Sequence, residues 1–303
     1  MAKDQAGQGA LLALGAYFLW GIAPMYFKQL SAVPADEIIT HRIIWSWLLL
    51  VLLISALGYW PRVRALLRTP RQLLMLALSS VIIGANWLLF IWAVNNDHML
   101  DASLGYYINP LFNIVLAMLF LGERFRRTQW LAVGLAGTGV AIQILVFGSL
   151  PWIALALALS FGCYGLIRKK VPVDPFTGLM LETLVLLPLA LIYLLGIADS
   201  ATSRLADNPL NLNLWLIAAG LVTTVPLLLF AGAARRLRLS TLGFFQYLGP
   251  SLMFLLAVGL YNEPFTLDKG ITFALIWGAL VIYTLDGLRH RRNSLQNSGT
   301  VNR

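Results

Sequence analysis

The sequence predicts an all-α polytopic membrane protein of ten transmembrane helices, built as two inverted-topology five-helix repeats. Three observations predict it. First, of 303 residues 59% are hydrophobic and only 12% charged, about half the charged share of a soluble globular chain. Second, apolar stretches of about 20 residues recur along the whole length, as a ~30 Å hydrocarbon core requires. Third, one segment occurs twice, 140 residues apart: Tyr107–Phe125 (YINPLFNIVLAMLFLGERF) and Tyr247–Phe265 (YLGPSLMFLLAVGLYNEPF). The copies agree at Tyr107/Tyr247, Pro110/Pro250, Leu116/Leu256, Ala117/Ala257, Glu123/Glu263 and Phe125/Phe265.

The spans follow in order as 10–28, 38–59, 72–94, 103–121, 129–147, 150–167, 177–197, 212–233, 241–261 and 270–288. The first is preceded by one lysine and is longer than a signal peptide's core, with no small-residue cleavage site, so it reads as a retained helix. Its face carries Tyr17, Trp20, Gly21, Pro24 and Lys28. Glu37 lies just before span 2, which carries His41 and Arg42, and span 3 carries Asn86 with Phe90 on its face, flanked by Trp87 and Trp92. In span 4 Ser103, Tyr106, Asn109/Pro110 and Asn113 form a polar stripe at helical spacing. Spans 5 and 10 are poor in polar groups apart from Gln143. There Gly134-xxx-Thr138 matches Ala274-xxx-Gly278, a spacing that favours close helix packing, so they read as scaffold or a dimer contact. Tyr164 lies in span 6, Glu182 in span 7, and Phe244, Gln246, Tyr247 and Pro250 in span 9. The longest connection, 198–211, is polar, and the basic Asn/Ser-rich tail from 289 is expected to be disordered. The units are therefore 1–148, 149–288 and the tail 289–303.

Charge placement sets the orientation. Of the 22 Lys and Arg, 18 fall on the side of the two termini and the 2–3, 4–5, 6–7 and 8–9 loops; Lys28, Arg42, Arg204 and Lys269 fall on the other. The positive-inside rule then puts both termini in the cytoplasm. Five spans per copy is odd, so the second copy enters the membrane upside down. Inverted repeats characterise secondary transporters, whose solute site lies near the midplane between the halves. The net charge of +9 sits in short loops and is no nucleic-acid footprint. The single Cys163 excludes an intrachain disulfide and a cysteine-rich metal site. Neither H-E-x-x-H nor G-x-S-x-G occurs, so an enzyme is not expected. No metal or cofactor is expected.

Ionisable groups within the spans are the first candidates for coupling or gating: His41, Arg42 and Glu182. A charge held centrally costs about 2.5–3.5 kcal/mol on insertion scales and usually faces a cavity or a partner. Arg42 and Glu182 are each roughly 8 Å inside their boundaries. Because the halves are inverted, they lie at levels roughly 14 Å apart and no direct pair is expected. Snorkelling to headgroups is the competing reading for Arg42. Glu37, four residues before His41, could orient the imidazole, which reads equally as interfacial. Asp97, His98 and Asp101 read as solvated loop residues.

Candidates for solute contact are Trp20, Asn86, Phe90, Tyr106, Asn109, Asn113, Tyr164, Phe244 and Gln246. Pro110 and Pro250 are expected to kink their helices and free the carbonyls of Tyr106 and Gln246. Glu123 and Glu263 fall at opposite membrane edges and read as capping or charge balance against neighbouring Arg124, Arg126, Arg127 or Lys269.

The two halves with their paired segment ends resemble the drug/metabolite transporter superfamily in its EamA branch, with the closer match to RarD-type (chloramphenicol-sensitivity) permeases. The resemblance rests on YFLWGIAPMYFK (17–28), VPADEIITHR (33–42), GANWLLFIWAVNN (84–96), ASLGYYINPLFNIVL (102–116), GERFRRTQWLA (122–132) and LRLSTLGFFQYLGPSLMFLLAV (237–258). It implies a bacterial inner-membrane permease with a central cavity among spans 1–4 and 6–9. The first copy's Glu-Arg-Phe departs from the common Glu-Pro ending. The expected function is secondary transport of a small amphipathic metabolite or drug-like solute by alternating access. Proton coupling is the family habit, and an uncoupled facilitator or exchanger is the alternative. The expected partners are that solute, the bilayer and at most a second copy of the chain.

Overall fold

A computed structural model describes residues 2–121, 126–146, 148–236 and 245–300. Among them there is no strand. The helices are α1 (Ala2–Gln29), α2 (Ala35–Ala56), α3 (Trp60–Leu67), α4 (Pro70–Asn95), α5 (Met99–Leu121), α6 (Arg127–Leu145), α7 (Trp152–Lys170), α8 (Pro175–Ile192), α9 (Leu210–Arg236), α10 (Leu248–Leu255) and α11 (Leu267–Thr300). Eight are long and apolar enough to cross a membrane, and two shorter apolar helices cover Trp152–Arg168 and Leu248–Leu260. Single π-helical turns, Tyr193–Ile197 and Leu256–Leu260, extend α8 and α10. The start of α8 shows how the sequence sets a boundary. Pro175 takes the first helical position, where no N–H is needed, and Asp174 accepts from the Thr177 N–H at 3.1 Å.

Burial is distributed as a bilayer dictates. Leu11, Leu74 and Leu195 point outward with 70–81% of their surface exposed. Ser46, Ser79, Asn86, Ser103, Asn109, Thr183 and Thr224 are buried inside the bundle. Polar groups at membrane depth gather where they can find partners or line a cavity.

Helix pairing repeats across the halves. Shifting by 140 residues carries α1 onto α7, α2 onto α8, α4 onto α9, α5 onto α10 and α6 onto α11. Under that shift the packing of α1 on α9 maps to α7 on α4, α2 on α9 to α8 on α4, and α1 on α10 to α7 on α5. The pairs α2–α8, α5–α10 and α6–α11 map to themselves. Close approaches mark these seams. A Cβ at Gly105 would fall 2.7 Å from the Ala154 carbonyl oxygen, and one at Gly220 equally close to that of Trp45.

Several sequence expectations change. The loop after span 2 contains α3, whose Val63 and Leu66 are buried in a cluster with Leu50, Ile54 and Leu76; eight residues with two arginines carry too weak an apolar period to read as a helix. The last helix, α11, runs past residue 289 to Thr300, and residues 301–303 lie outside the described residues. Leu285, Leu288 and Leu295 are good helix formers there. Pro110 lies inside α5, whereas Pro250 lies in the first turn of α10, where a proline fits unkinked. The chain instead breaks at residues 246–247, just before it. Gly134 has open space around it, while α6 and α11 meet at Gly139 against Leu275 and at Gly278 against Leu135. The outer-loop residues pair with one another while Asp97 stays 72% exposed. Lys28 pairs with Asp97, His98 Nδ1 lies 3.1 Å from Asp101, and Lys269 lies 3.4 Å from Asp101. Glu263 is a cap: its carboxylate accepts from the Met99 and Leu100 N–H groups at 2.8 and 2.9 Å, closing the start of α5. Glu123 lies outside the described residues.

Candidate functional site

Arg42 is packed inside the bundle. It sits seven residues into α2, about 10 Å along the helix, and only 9% of it is exposed. Its Nε donates to Thr223 Oγ1 of α9 at 2.6 Å. The guanidinium lies over the Trp87 ring at 4.2 Å and near the Phe27 ring at 5.9 Å. A cation over an indole face is held by the ring quadrupole. Among the described residues no carboxylate pairs with it; the groups within electrostatic reach are the Tyr26 and Tyr106 phenols. Nη1 and Nη2 make no hydrogen bond to a described residue.

From Arg42 a chain of rings runs through the bundle. Phe27 meets Phe90 at 5.9 Å, Phe90 meets Tyr106 at 5.8 Å, Tyr106 meets Phe161 at 5.9 Å and Phe161 meets Tyr164 at 6.1 Å. These are ordinary edge-to-face and tilted separations. Helical spacing sets them up: Phe90 lies one turn beyond Asn86 on α4, and Asn109 one turn beyond Tyr106 on α5. Asn86 Nδ2 donates to the Leu157 carbonyl at 3.1 Å and to Ser160 Oγ at 2.8 Å, while its Oδ1 is buried without a partner among the described residues. Asn109 is fully buried, and both its amide atoms lack a described partner.

The chain of rings ends on Glu182, only 1% exposed. Tyr164 OH donates to Oε2 at 3.2 Å and Ser79 Oγ to Oε1 at 2.7 Å. The Arg168 guanidinium lies 3.7 Å from Oε1. Arg168 is four residues after Tyr164, so both project from one face of α7 toward Glu182. Gly178, one turn before Glu182 on α8, makes the room: a Cβ there would fall 2.1 Å from Arg168 Nη1. Arg42 and Glu182 are thus symmetry mates at opposite ends of the ring chain and form no pair with each other. Each bonds to a hydroxyl on the equivalent helix of the other half, Thr223 on α9 and Ser79 on α4.

The other expected site residues scatter. Trp20 packs with Tyr17 and Phe230 in a separate aromatic cluster, at 5.4 and 5.8 Å. Asn113 is exposed, with Oδ1 beside Gly162. Gln246 is half-buried in the turn before α10, and Phe244 lies outside the described residues. His41 is buried with neither ring nitrogen partnered by a described residue. Glu37 does not orient it. Glu37 holds the loop after α8, accepting from Ser200 and, at 2.7 Å, from Thr202. Sequence reasoning missed Trp87, Phe161, Ser79, Thr223 and Arg168 as site residues. Ser79 and Thr223 were visible as polar residues in apolar spans, and Arg168 was assigned to a loop.

The model of the EamA-like transporter family matches residues 7–145 and 150–285, one copy for each half. The chain belongs to the EamA-like transporter family. It is 63% identical to Protein RarD of Salmonella typhimurium, over 96% of this chain and 99% of that one. It is 60% identical to an uncharacterized transporter of Vibrio cholerae, over 95% and 96%. At 32% identity it matches a chloramphenicol-sensitive protein RarD of Pseudomonas aeruginosa, over 94% and 96%. A crystal structure 20% identical in sequence covers 92% of this chain and 98% of its own, with a TM-score of 0.59, and shows the fold alone. The repeated family match and the eight long apolar helices make this a multi-pass membrane transporter.

Proposed function

We propose that the chain is a secondary transporter that carries a small amphipathic solute by alternating access between repeats 1–148 and 149–288. In this reading the shorter helices at Trp152–Arg168 and Leu248–Leu260 are the sixth and ninth of ten crossings, and the second repeat is inverted. Both chain ends are cytoplasmic, in a bacterial inner membrane. The observation that carries it is the ring chain between Arg42 and Glu182, which joins symmetry-equivalent charged groups through both halves. A midplane site between inverted repeats is where such transporters bind their solute. Matched helix pairing supports rocking, because each half presents the same seams to the other. The ion pair of Glu182 with Arg168 favours a gating role for Glu182 over that of a free proton carrier.

The test needs no solute. In a Cys163→Ala background, Ser160→Cys places one thiol beside Asn86, midway along α7. It is labelled with a membrane-impermeant maleimide in right-side-out and in inverted vesicles. Alternating access predicts labelling from both faces. Labelling from one face only, or from neither, contradicts it.

A further inference from the structure

We propose that the solute is a small monocarboxylic acid with an aromatic or apolar body, and that Arg42 binds its carboxylate. The inference rests on the transport reading and deepens it. A buried guanidinium is costly, and inside a membrane protein such a charge pairs with an opposite charge or backbone carbonyls, or faces a cavity. Here the described residues supply no anion: Nε is used by Thr223, the indole face of Trp87 covers one side, and Nη1 and Nη2 make no hydrogen bond to a described residue. The two free nitrogens of a guanidinium fork match the two oxygens of a carboxylate. Headgroup phosphate is a poorer fit, since Arg42 lies about 10 Å inside α2 beneath Phe27.

A second observation points to a ligand independently. Asn109, one helical turn beyond Tyr106, has both amide atoms buried and unpartnered among the described residues, and Asn86 Oδ1 is in the same state. Buried amides in native structures are nearly always bonded, and here a polar substituent of the solute would satisfy them. The anionic end of the site is fixed as well. Glu182 already holds Arg168, Ser79 and Tyr164, so among the described residues of this site no free carboxylate waits for an ammonium group. Among the described residues Arg42 is the cation left without a carboxylate here, so one bound carboxylate leaves the site neutral. The Phe90, Tyr106 and Phe161 rings lie between the two ends and suit an apolar body.

The test is a thermal-shift titration of the purified full chain with phenylacetate, its neutral isostere phenylacetamide, and inorganic phosphate, at about 10 mM and constant ionic strength. The expected result is a rise in Tm with phenylacetate. Binding of phenylacetamide should be weaker by roughly 30-fold or more, as for loss of a buried charged hydrogen bond. Arg42→Gln should lose the phenylacetate shift and Arg42→Lys should keep part of it, because lysine lacks the fork. The comparison of acid with amide uses unaltered protein, so it stands even where an Arg42 variant folds poorly. Equal shifts from acid and amide, a shift from phosphate alone, no shift from the acid, or an undiminished acid shift in folded Arg42→Gln would each overturn the proposal. Labelling of the Ser160→Cys thiol from both faces would still uphold transport in every such case, so the two failures are distinguishable.

Discussion

Gly178→Ala should change the sign of its effect with the residue at position 168. The new Cβ would fall 2.1 Å from Arg168 Nη1 and 2.3 Å from Nη2. The guanidinium must leave, and Glu182 then keeps only Ser79 and Tyr164. Breaking a buried ion pair costs about 3–5 kcal/mol. This pair is 3.7 Å long, with the Arg168 side chain 16% exposed. With two hydroxyls left on the carboxylate, about 2 kcal/mol is the reasonable loss. Alanine in place of helical glycine returns about 0.5–1 kcal/mol. The net in otherwise unaltered protein is therefore a destabilisation of about 1–1.5 kcal/mol. In an Arg168→Ala background the three atoms nearest the new Cβ are gone, and Gly178→Ala should stabilise by about 0.5–1 kcal/mol. Reversible unfolding of the purified protein in mixed micelles measures both. The same sign in both backgrounds would refute the placement of Arg168 over Gly178.

Three further outcomes follow from the packing. Gly105→Ala drives a Cβ to 2.7 Å from the Ala154 carbonyl and should cost about 1–3 kcal/mol, whereas Gly165→Ala, in open space, should be neutral or stabilising in the same unfolding assay. Glu263→Ala removes the acceptor for the Met99 and Leu100 amides. It should cost about 2–3 kcal/mol and speed hydrogen exchange at those two amides before others in α5. Glu37→Ala frees Ser200 and Thr202, so limited proteolysis should cut between residues 198 and 209 faster than in unaltered protein.

The duplication, the apolar helices and the buried carboxylate of Glu182 were legible because each is a local property: a repeated string, a run of apolar residues, a charge inside it. Partners were not. Arg168 counts with Lys169 and Lys170 as a basic loop, and only the geometry of α7 and the missing side chain at Gly178 turn its head toward Glu182. Glu37 has the spacing to face His41 on one helix, yet its acceptors are taken by a loop more than 160 residues later. Trp87 was seen as a flanking aromatic; its role appears once α2 brings Arg42 across its ring. The glutamates that end the repeated segment are its most conspicuous polar residues, and the described one is spent on closing a helix. In the first copy Tyr106 and Asn109 share α5, whereas in the second the turn at 246–247 separates Gln246 from α10.

Counterflow in proteoliposomes measures the central claim most directly. Vesicles loaded with unlabelled phenylacetate are diluted into a trace of labelled phenylacetate, with no ion gradient. A carrier exchanging one solute for another through the Arg42–Glu182 passage must show a transient overshoot of label above equilibrium. We predict that overshoot, and its loss in Arg42→Gln protein whose Ser160→Cys thiol still labels from both faces. An overshoot of equal height in that variant, or none in the unaltered protein, would contradict the claim.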